Sequence, residues 1–247
     1  MTRAIAVLRA FTSAKPKWTL REITLGCGLD KGTTRRLLHT LALAGLVEHD
    51  EAAQAYSLTL GVLELSAHVH QGNDLQTLAR PILSDLAEAC GGTAFLWVYE
   101  KGAAVCLDRV CAKNSIITTL IAAGNRTSLN CGAAPRVLLA YIDEAERERV
   151  LAREQPGRTL FSVTEPAALR RICRTIVEQG YELVADDFII GLSALGVPIL
   201  DPSGRFIGAI SVTNLTDRIV SEHGRPRLLD ILIDAARRLG GHAARQG

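Results

Sequence analysis

Thr19-Leu20-Arg21-Glu22-Ile23-Thr24-Leu25-Gly26-Cys27-Gly28-Leu29-Asp30-Lys31-Gly32-Thr33-Thr34-Arg35-Arg36-Leu37-Leu38-His39 is the stretch whose reading decides the fold. Thr19 with Glu22 three residues on forms the Thr-x-x-Glu capping box, which fixes a helix start. Leu20, Ile23 and Leu25 give that helix an apolar side, and Gly26-Cys27-Gly28 ends it. Asp30 is an N-cap for a second helix, Lys31 to about Ala44. Leu37, Leu38, Leu41 and Ala44 share one face of it with Thr34, while Arg35, Arg36 and His39 lie opposite. Two short helices joined by a glycine-containing turn are the helix-turn-helix plan, whose second helix enters the major groove.

Outward from this stretch, residues 3–13 read as a preceding helix with Ile5, Leu8 and Phe11 inward, broken at Lys15-Pro16-Lys17. Leu46–His49 and Ala55–Leu58 alternate like strands around the polar turn Asp50–Gln54, completing a wing. Residues 1–60 are expected to be a winged helix-turn-helix domain, 61–73 a linker helix, and 74–247 a second, α+β domain. In that domain an amphipathic helix (Leu75–Cys90) precedes strand-like runs at Thr93–Tyr99, Ala103–Arg109 and Ser115–Ile121. Helical runs follow near 133–142, 143–154 and 165–179. Strands at Tyr181–Ala185, Ser193–Leu200 and Phe206–Thr213 and a helix from Arg225 to Ala244 close it. Lys101-Gly102 sits where a tight hairpin turn belongs. A mostly antiparallel sheet flanked by helices is the expected architecture.

Charge distribution agrees with the division. Residues 1–60 hold eight Lys or Arg against five Asp or Glu, whereas the rest holds 20 against 21. A basic surplus on a helix-turn-helix suits a polyanion. The candidate DNA-contacting residues are Lys31, Gly32, Thr33, Arg35, Arg36 and His39. Arg can pair two hydrogen bonds with guanine, Thr can reach a base edge, and Gly32 permits close backbone approach. The wing tip, Asp50-Glu51, is acidic and would repel phosphate.

Other classes lack their chemistry. The six His fall at 39, 49, 68, 70, 223 and 242, most of them in the DNA-binding region, the linker or the tail. No Gly-x-Ser-x-Gly elbow, phosphate loop or dinucleotide fingerprint appears. His68 and His70, two apart on a helix, do not face one another. The six Cys (27, 90, 106, 111, 131, 173) lack zinc spacing and read as reduced, mostly buried thiols. No catalytic residue, metal or cofactor is expected. No apolar run is long enough for a membrane span and no signal peptide is read, so a cytoplasmic location is expected. The rival readings are a metabolite-binding module without DNA binding and a cytosolic enzyme.

The chain resembles the isocitrate-lyase-regulator (IclR) family. The resemblance rests on Arg3–Leu8, Leu29–Leu38, Gly45–Glu48 and Tyr56–Gly61 at the N-terminal end. Further on it rests on Gly92-Thr93, Gly180-Tyr181, Gly191, Pro198, Asp201-x-x-Gly204 and Gly208–Val212. It implies a winged helix fused to a GAF-like sensor, and a homodimer or homotetramer on pseudo-palindromic operator DNA. It also implies an effector, a small organic acid, held near the helix start Asn130-Cys131-Gly132-Ala133-Ala134-Pro135. A helix start can bind a carboxylate through free N–H groups. Ser211 and Thr213 match hydroxyl-bearing positions of the family, and Asp187 matches an acidic one. Val184 and Ala194 stand where some members carry Asp and Cys, which makes the pocket less polar. Phe95, Leu129, Cys131, Gly132, Ala133, Asp187, Ala194, Leu195, Ser211 and Thr213 are therefore the candidate effector residues. A partly apolar or aromatic acid is expected over a two-carbon one.

Overall fold

The structure is a computed structural model that describes residues 1–247 except 13–14, 72–73, 116–120, 221–225 and 244–247. It divides into two compact units, Met1–Asn73 and Asp74–Gly247.

The first unit runs α1 (Thr2–Ala10), β1 (Lys17–Thr19), α2 (Leu20–Gly26), α3 (Lys31–Leu43), β2 (Val47–Asp50), β3 (Ala55–Leu58) and α4 (Gly61–Gln71). The capping box forms as the sequence requires. The Thr19 hydroxyl accepts the Glu22 N–H, and the Glu22 carboxylate accepts the Thr19 N–H at 2.8 Å. Asp30 caps α3 by accepting the Thr33 N–H at 2.8 Å. Helix α3 buries Thr34, Leu38 and Leu41 against Val7, Phe11, Ile23 and Val47. Ala44, expected on that inner face, is exposed. Helix α1 also turns differently from expectation. It ends at Ala10, buries Val7, and leaves Ile5 40% exposed. Val7 and Phe11 stand four residues apart and carry the stripe instead.

Strand β1 was not legible in the pattern. It pairs antiparallel with β3 through Trp18 and Tyr56, giving a sheet of order β1-β3-β2. Three residues are too few to show a period of two, and the adjacent Pro16 reads only as a break. The strand matters for charge. Lys17 Nζ lies 3.1 Å from Asp50 Oδ2, so one of the two wing-tip acids already has a cation beside it.

The second unit runs α5 (Asp74–Cys90), β4 (Thr93–Glu100), β5 (Ala103–Cys111), β6 (Arg126–Thr127), α6 (Ala133–Tyr141), α7 (Glu144–Leu151), α8 (Pro166–Gln179), β7 (Glu182–Ala185), β8 (Leu192–Leu200), β9 (Phe206–Leu215), α9 (Thr216–Ile219) and α10 (Leu229–Ala243). The six strands form one antiparallel sheet of order β6-β5-β4-β9-β8-β7. Lys101 and Gly102 both adopt positive φ (47° and 80°), the mirror-image turn that matches strand twist. The strand expected at 115–121 falls almost wholly on 116–120, outside the described residues.

Alternation sorts the sheet into two cores. Ala94, Leu96, Leu195, Val197, Ile210 and Val212 face α5 and α10. Phe95, Trp97, Cys106 and Ala209 face α6 and α8. The candidate site lies in this second layer.

Candidate functional site

In the first unit, Lys31, Gly32, Arg35, Arg36 and His39 are exposed and Thr33 half-buried, all along the outer side of α3. Among the described residues no carboxylate pairs with Arg35 or Arg36. Arg36 Nη2 donates to Thr33 Oγ1 at 3.4 Å. The face opposite the buried Leu38 thus offers two unpaired guanidinium groups. Its base is rigid because both helix starts are capped. Glu22 is held down to about 2 by the Lys15 ammonium that donates to it and by the Thr19 N–H and hydroxyl, so the capping box is charged at neutral pH.

In the second unit, helix α6 begins over the sheet at Gly196. A Cβ there would stand 2.8 Å from Ala134 N and 3.0 Å from Ala133 C, so only glycine lets the helix start sit this close. Beneath it a partly open cleft is lined by Phe95, Trp97, Ile121, Phe188, Leu192 and Val184, with Ala194, Ser193, Ser211, Thr213, Asp187, Ile189 and the loop Cys131–Pro135. The cavity volume is about 50 Å³, several times the roughly 10–15 Å³ that one water needs.

The structure brings together Phe95, Cys131, Gly132, Ala133, Asp187, Ala194, Ser211 and Thr213 around this cavity. Leu129 and Leu195 are not on its wall. Leu195 is adjacent to Ala194 in β8 and points to the α5–α10 core, because neighbouring residues of a strand face opposite ways. Leu129 is buried in the α6–α8 core beside the cavity.

Asp187 lines the cavity, yet its carboxylate is already engaged. Oδ2 accepts the Gly132 N–H at 2.9 Å and lies 3.0 Å from Arg136 Nη2. Arg136, buried in α6, also reaches Glu182 Oε1 at 2.9 Å through Nη1 and the Asn130 carbonyl at 2.8 Å through Nε. Burial pushes the Asp187 and Glu182 carboxyls above the usual carboxylate range. The Arg136 guanidinium pulls both back, and the Gly132 N–H does so for Asp187. This network ties loop 130–132, α6, β7 and the segment after β7 into one frame. Sequence reasoning missed it, and also missed Trp97, Phe188 and Ile189. Trp97 could have been found by stepping two residues along the strand from Phe95.

The wall has no basic side chain. Its polar groups are the Ser193, Ser211 and Thr213 hydroxyls, the Asp187 carboxylate and the start of α6. The N–H groups of Ala133 and Ala134 have no acceptor within their own helix, since the first turn of any helix lacks one. Ser193 is occupied by Thr216, Oγ to Oγ1 at 2.9 Å. Such a wall suits an apolar ring with one anionic end, held by dipoles instead of a counter-ion. Among the described residues no cluster of His, Cys, Asp and Glu could hold a metal.

A winged helix-turn-helix with an exposed cationic helix face, carried on one chain with an α+β unit that holds a largely apolar cleft, defines a ligand-responsive DNA-binding regulator. Residues 1–51 match the IclR helix-turn-helix domain, and residues 67–240 match the C-terminal domain of the bacterial transcriptional regulator IclR. The chain belongs to the IclR family of bacterial transcriptional regulators. It is 27% identical over 240 residues to the Pca regulon regulatory protein of Pseudomonas putida, covering 97% of this chain and 82% of that one. It is 30% identical over 222 residues to the transcriptional regulator BhcR of Paracoccus denitrificans, covering 90% and 79%. The fold matches an IclR homologue from Microbacterium hydrocarbonoxydans solved in complex with 4-hydroxybenzoate. That match has a TM-score of 0.79 and 23% identity, and covers 96% of each chain.

Proposed function

We propose that this regulator binds a small aromatic carboxylic acid in the cavity beneath α6, and that occupancy changes the affinity of α3 for operator DNA. The observation that carries the reading is the cavity wall: aromatic and aliphatic side chains on most sides, two hydroxyls and a helix start at one end, and no cation. A two-carbon acid would leave the aromatic walls unfilled. An aromatic ring fills them and places its carboxylate at the helix start, where N–H groups and Ser211 and Thr213 can donate. The solved relative carrying 4-hydroxybenzoate makes that acid a natural first probe.

Lys31, Gly32, Thr33, Arg35, Arg36 and His39 meet the duplex in this reading, with 1–60 as the DNA-binding domain, 61–73 as linker and 74–247 as sensor. Two or four copies on a pseudo-palindromic operator in the cytoplasm complete it. The acid acts by favouring one arrangement of the paired winged helices over another, which requires only that it bind the two arrangements unequally. The test is to enrich bound fragments from random DNA with the purified protein, then titrate benzoate and 4-hydroxybenzoate into the complex. A shift in DNA affinity with either acid is the expected result. Calorimetry showing tight binding of two-carbon acids alone would overturn the aromatic assignment.

A further inference from the structure

A second cavity abuts the cleft beneath α6. Trp97, Ile121, Phe188 and Ile189 line both, and Asn125, Arg126, Thr127 and Arg158 line only the second. Its volume is about 180 Å³, against about 50 Å³ for the cleft. The shared residues are aromatic or aliphatic. The other four are polar, and two of them are cations. The cleft wall has no basic side chain, so the two spaces differ in what they offer an acid.

The two cations are not equivalent. Arg126 is committed to Glu100, with Nη1 2.6 Å from Oε2 and Nη2 donating to the main-chain oxygen at 2.6 Å. Arg158 has no carboxylate partner among the described residues. Its guanidinium stacks over Phe188, with Cζ 4.1 Å from the ring centroid, and its Nη2 donates to Thr127 Oγ1 at 3.3 Å. These contacts hold the group in place while using one of its five N–H donors. Both supports are themselves anchored. Thr127 pairs with Ala104 in the sheet, and Phe188 follows Asp187, which Arg136 and the Gly132 N–H pin. A cation fixed in advance loses little freedom when an anion arrives. Arg158 is also exposed, so an anion can reach it.

An exposed ion pair alone is worth little, because water screens it. The apolar wall must therefore contribute, and it does so only for an acid with a hydrocarbon part to remove from water. We propose that this cavity is a second acid-binding site, in which Arg158 binds the carboxylate of an apolar monocarboxylic acid while Ile121 and Ile189 cover its hydrocarbon part. The assignment stands on Arg158 and its cavity and does not need the effector reading above.

The experiment is chemical footprinting of the full chain. Phenylglyoxal modifies accessible guanidinium groups, and peptide mass spectrometry follows each arginine with and without benzoate. Arg35, exposed and in the other unit, is the internal control. At about ten times the half-protecting benzoate concentration, modification of Arg158 is expected to slow about tenfold, because only unoccupied chains react. Arg35 is expected to react at its original rate. Equal modification of Arg158 with and without benzoate would overturn the site. Protection by acetate equal to that by benzoate would overturn the role of the apolar wall. A second arm separates the two cavities. Ser211 lines the cleft alone, so in Ser211→Ala the half-protecting concentration for Arg158 is expected to stay within about twofold of wild type. A larger shift would show that Arg158 reports occupancy of the cleft, which overturns the second site and leaves the effector reading standing. Protection of Arg158 with no change in operator affinity at any acid concentration would support the second site and overturn the effector reading.

Discussion

Arg136 Nη2 lies 3.0 Å from Asp187 Oδ2, with both side chains buried, across a separation of about fifty residues in sequence. The pair is the hinge pin of the effector unit. It joins the start of α6 to the segment carrying Phe188 and Ile189, and those two residues close the cavity. Removing one member leaves uncompensated charge in a low-dielectric interior.

Arg136→Met is expected to lower the stability of the effector unit by about 3–5 kcal/mol, the range for breaking a buried pair. Asp187→Asn is expected to cost less, because Glu182 still pairs with Arg136. Urea denaturation followed by Trp97 fluorescence in a Trp18→Phe background reads this unit. An Arg136→Met midpoint equal to wild type would show that the pair carries no stability.

Gly196→Ala is expected to push α6 off the sheet. The new Cβ would meet backbone atoms, which cannot rotate away as a side-chain tip could. A loss of about 1–3 kcal/mol in stability is anticipated from overpacking. A fall in aromatic-acid affinity should accompany it, since the helix start moves away from Ser211. Calorimetry giving unchanged affinity would separate the helix start from the ligand.

Arg35→Ala and Arg36→Ala should each weaken operator binding by about 1–3 kcal/mol if the guanidinium reads a base. Thermal stability should be unchanged, because both side chains are exposed and unpaired. Gel-shift titration at fixed salt measures the first and a melting curve the second. Full affinity in both variants would remove α3 from the contact surface.

Acid should undo the winged helix through its caps. The folded value for Glu22, about 2, lies below its ordinary value of 4.5. Asp30, stabilised by Thr33, and Asp50, stabilised by the Ala53 N–H and Lys17, are also held below their ordinary values. Groups depressed in the folded state contribute stability above the unfolded value and lose it as pH falls toward the folded one. Trp18 emission in a Trp97→Phe background should therefore report unfolding as pH drops from 4.5 toward 2. Glu22→Gln should make that pH dependence shallower. For Asp187 and Glu182 the sign is opposite. Burial raises them, so their contribution shrinks as pH rises through their folded values.

What could be read from the sequence was local or periodic. The Thr19–Glu22 box and the Asp30 cap involve residues three apart, and the short apolar runs of β4, β8 and β9, bounded by turn residues, read as strands. The start of α6 was legible from Gly132 and Pro135. The failures came from contacts that no local pattern encodes. Arg136 stands in the run Ala133–Tyr141, whose other residues are apolar but for Tyr141, a visible anomaly. Its partners, 46 and 51 residues downstream, are set by packing alone. Ile5 and Val7 have equal claims to the inner face of a nine-residue helix, and only the positions of Ile23 and Leu38 decide between them. Leu195 is placed at the cavity by nearness to Ala194 in sequence, but neighbouring residues of a strand face opposite ways.

The Gly132–Asp187 contact bears on ligand choice in a further way. The helix start that would receive an acid already holds one carboxylate of the protein's own, 2.9 Å from an amide. A monoanion can share the remaining amides. A dicarboxylate would bring a second negative group beside Asp187, where the one buried cation, Arg136, is already shared between Asp187 and Glu182. On the proposed reading the cavity discriminates by valence as well as by shape, and metabolites carrying two acid groups are turned away by a charge built into the wall.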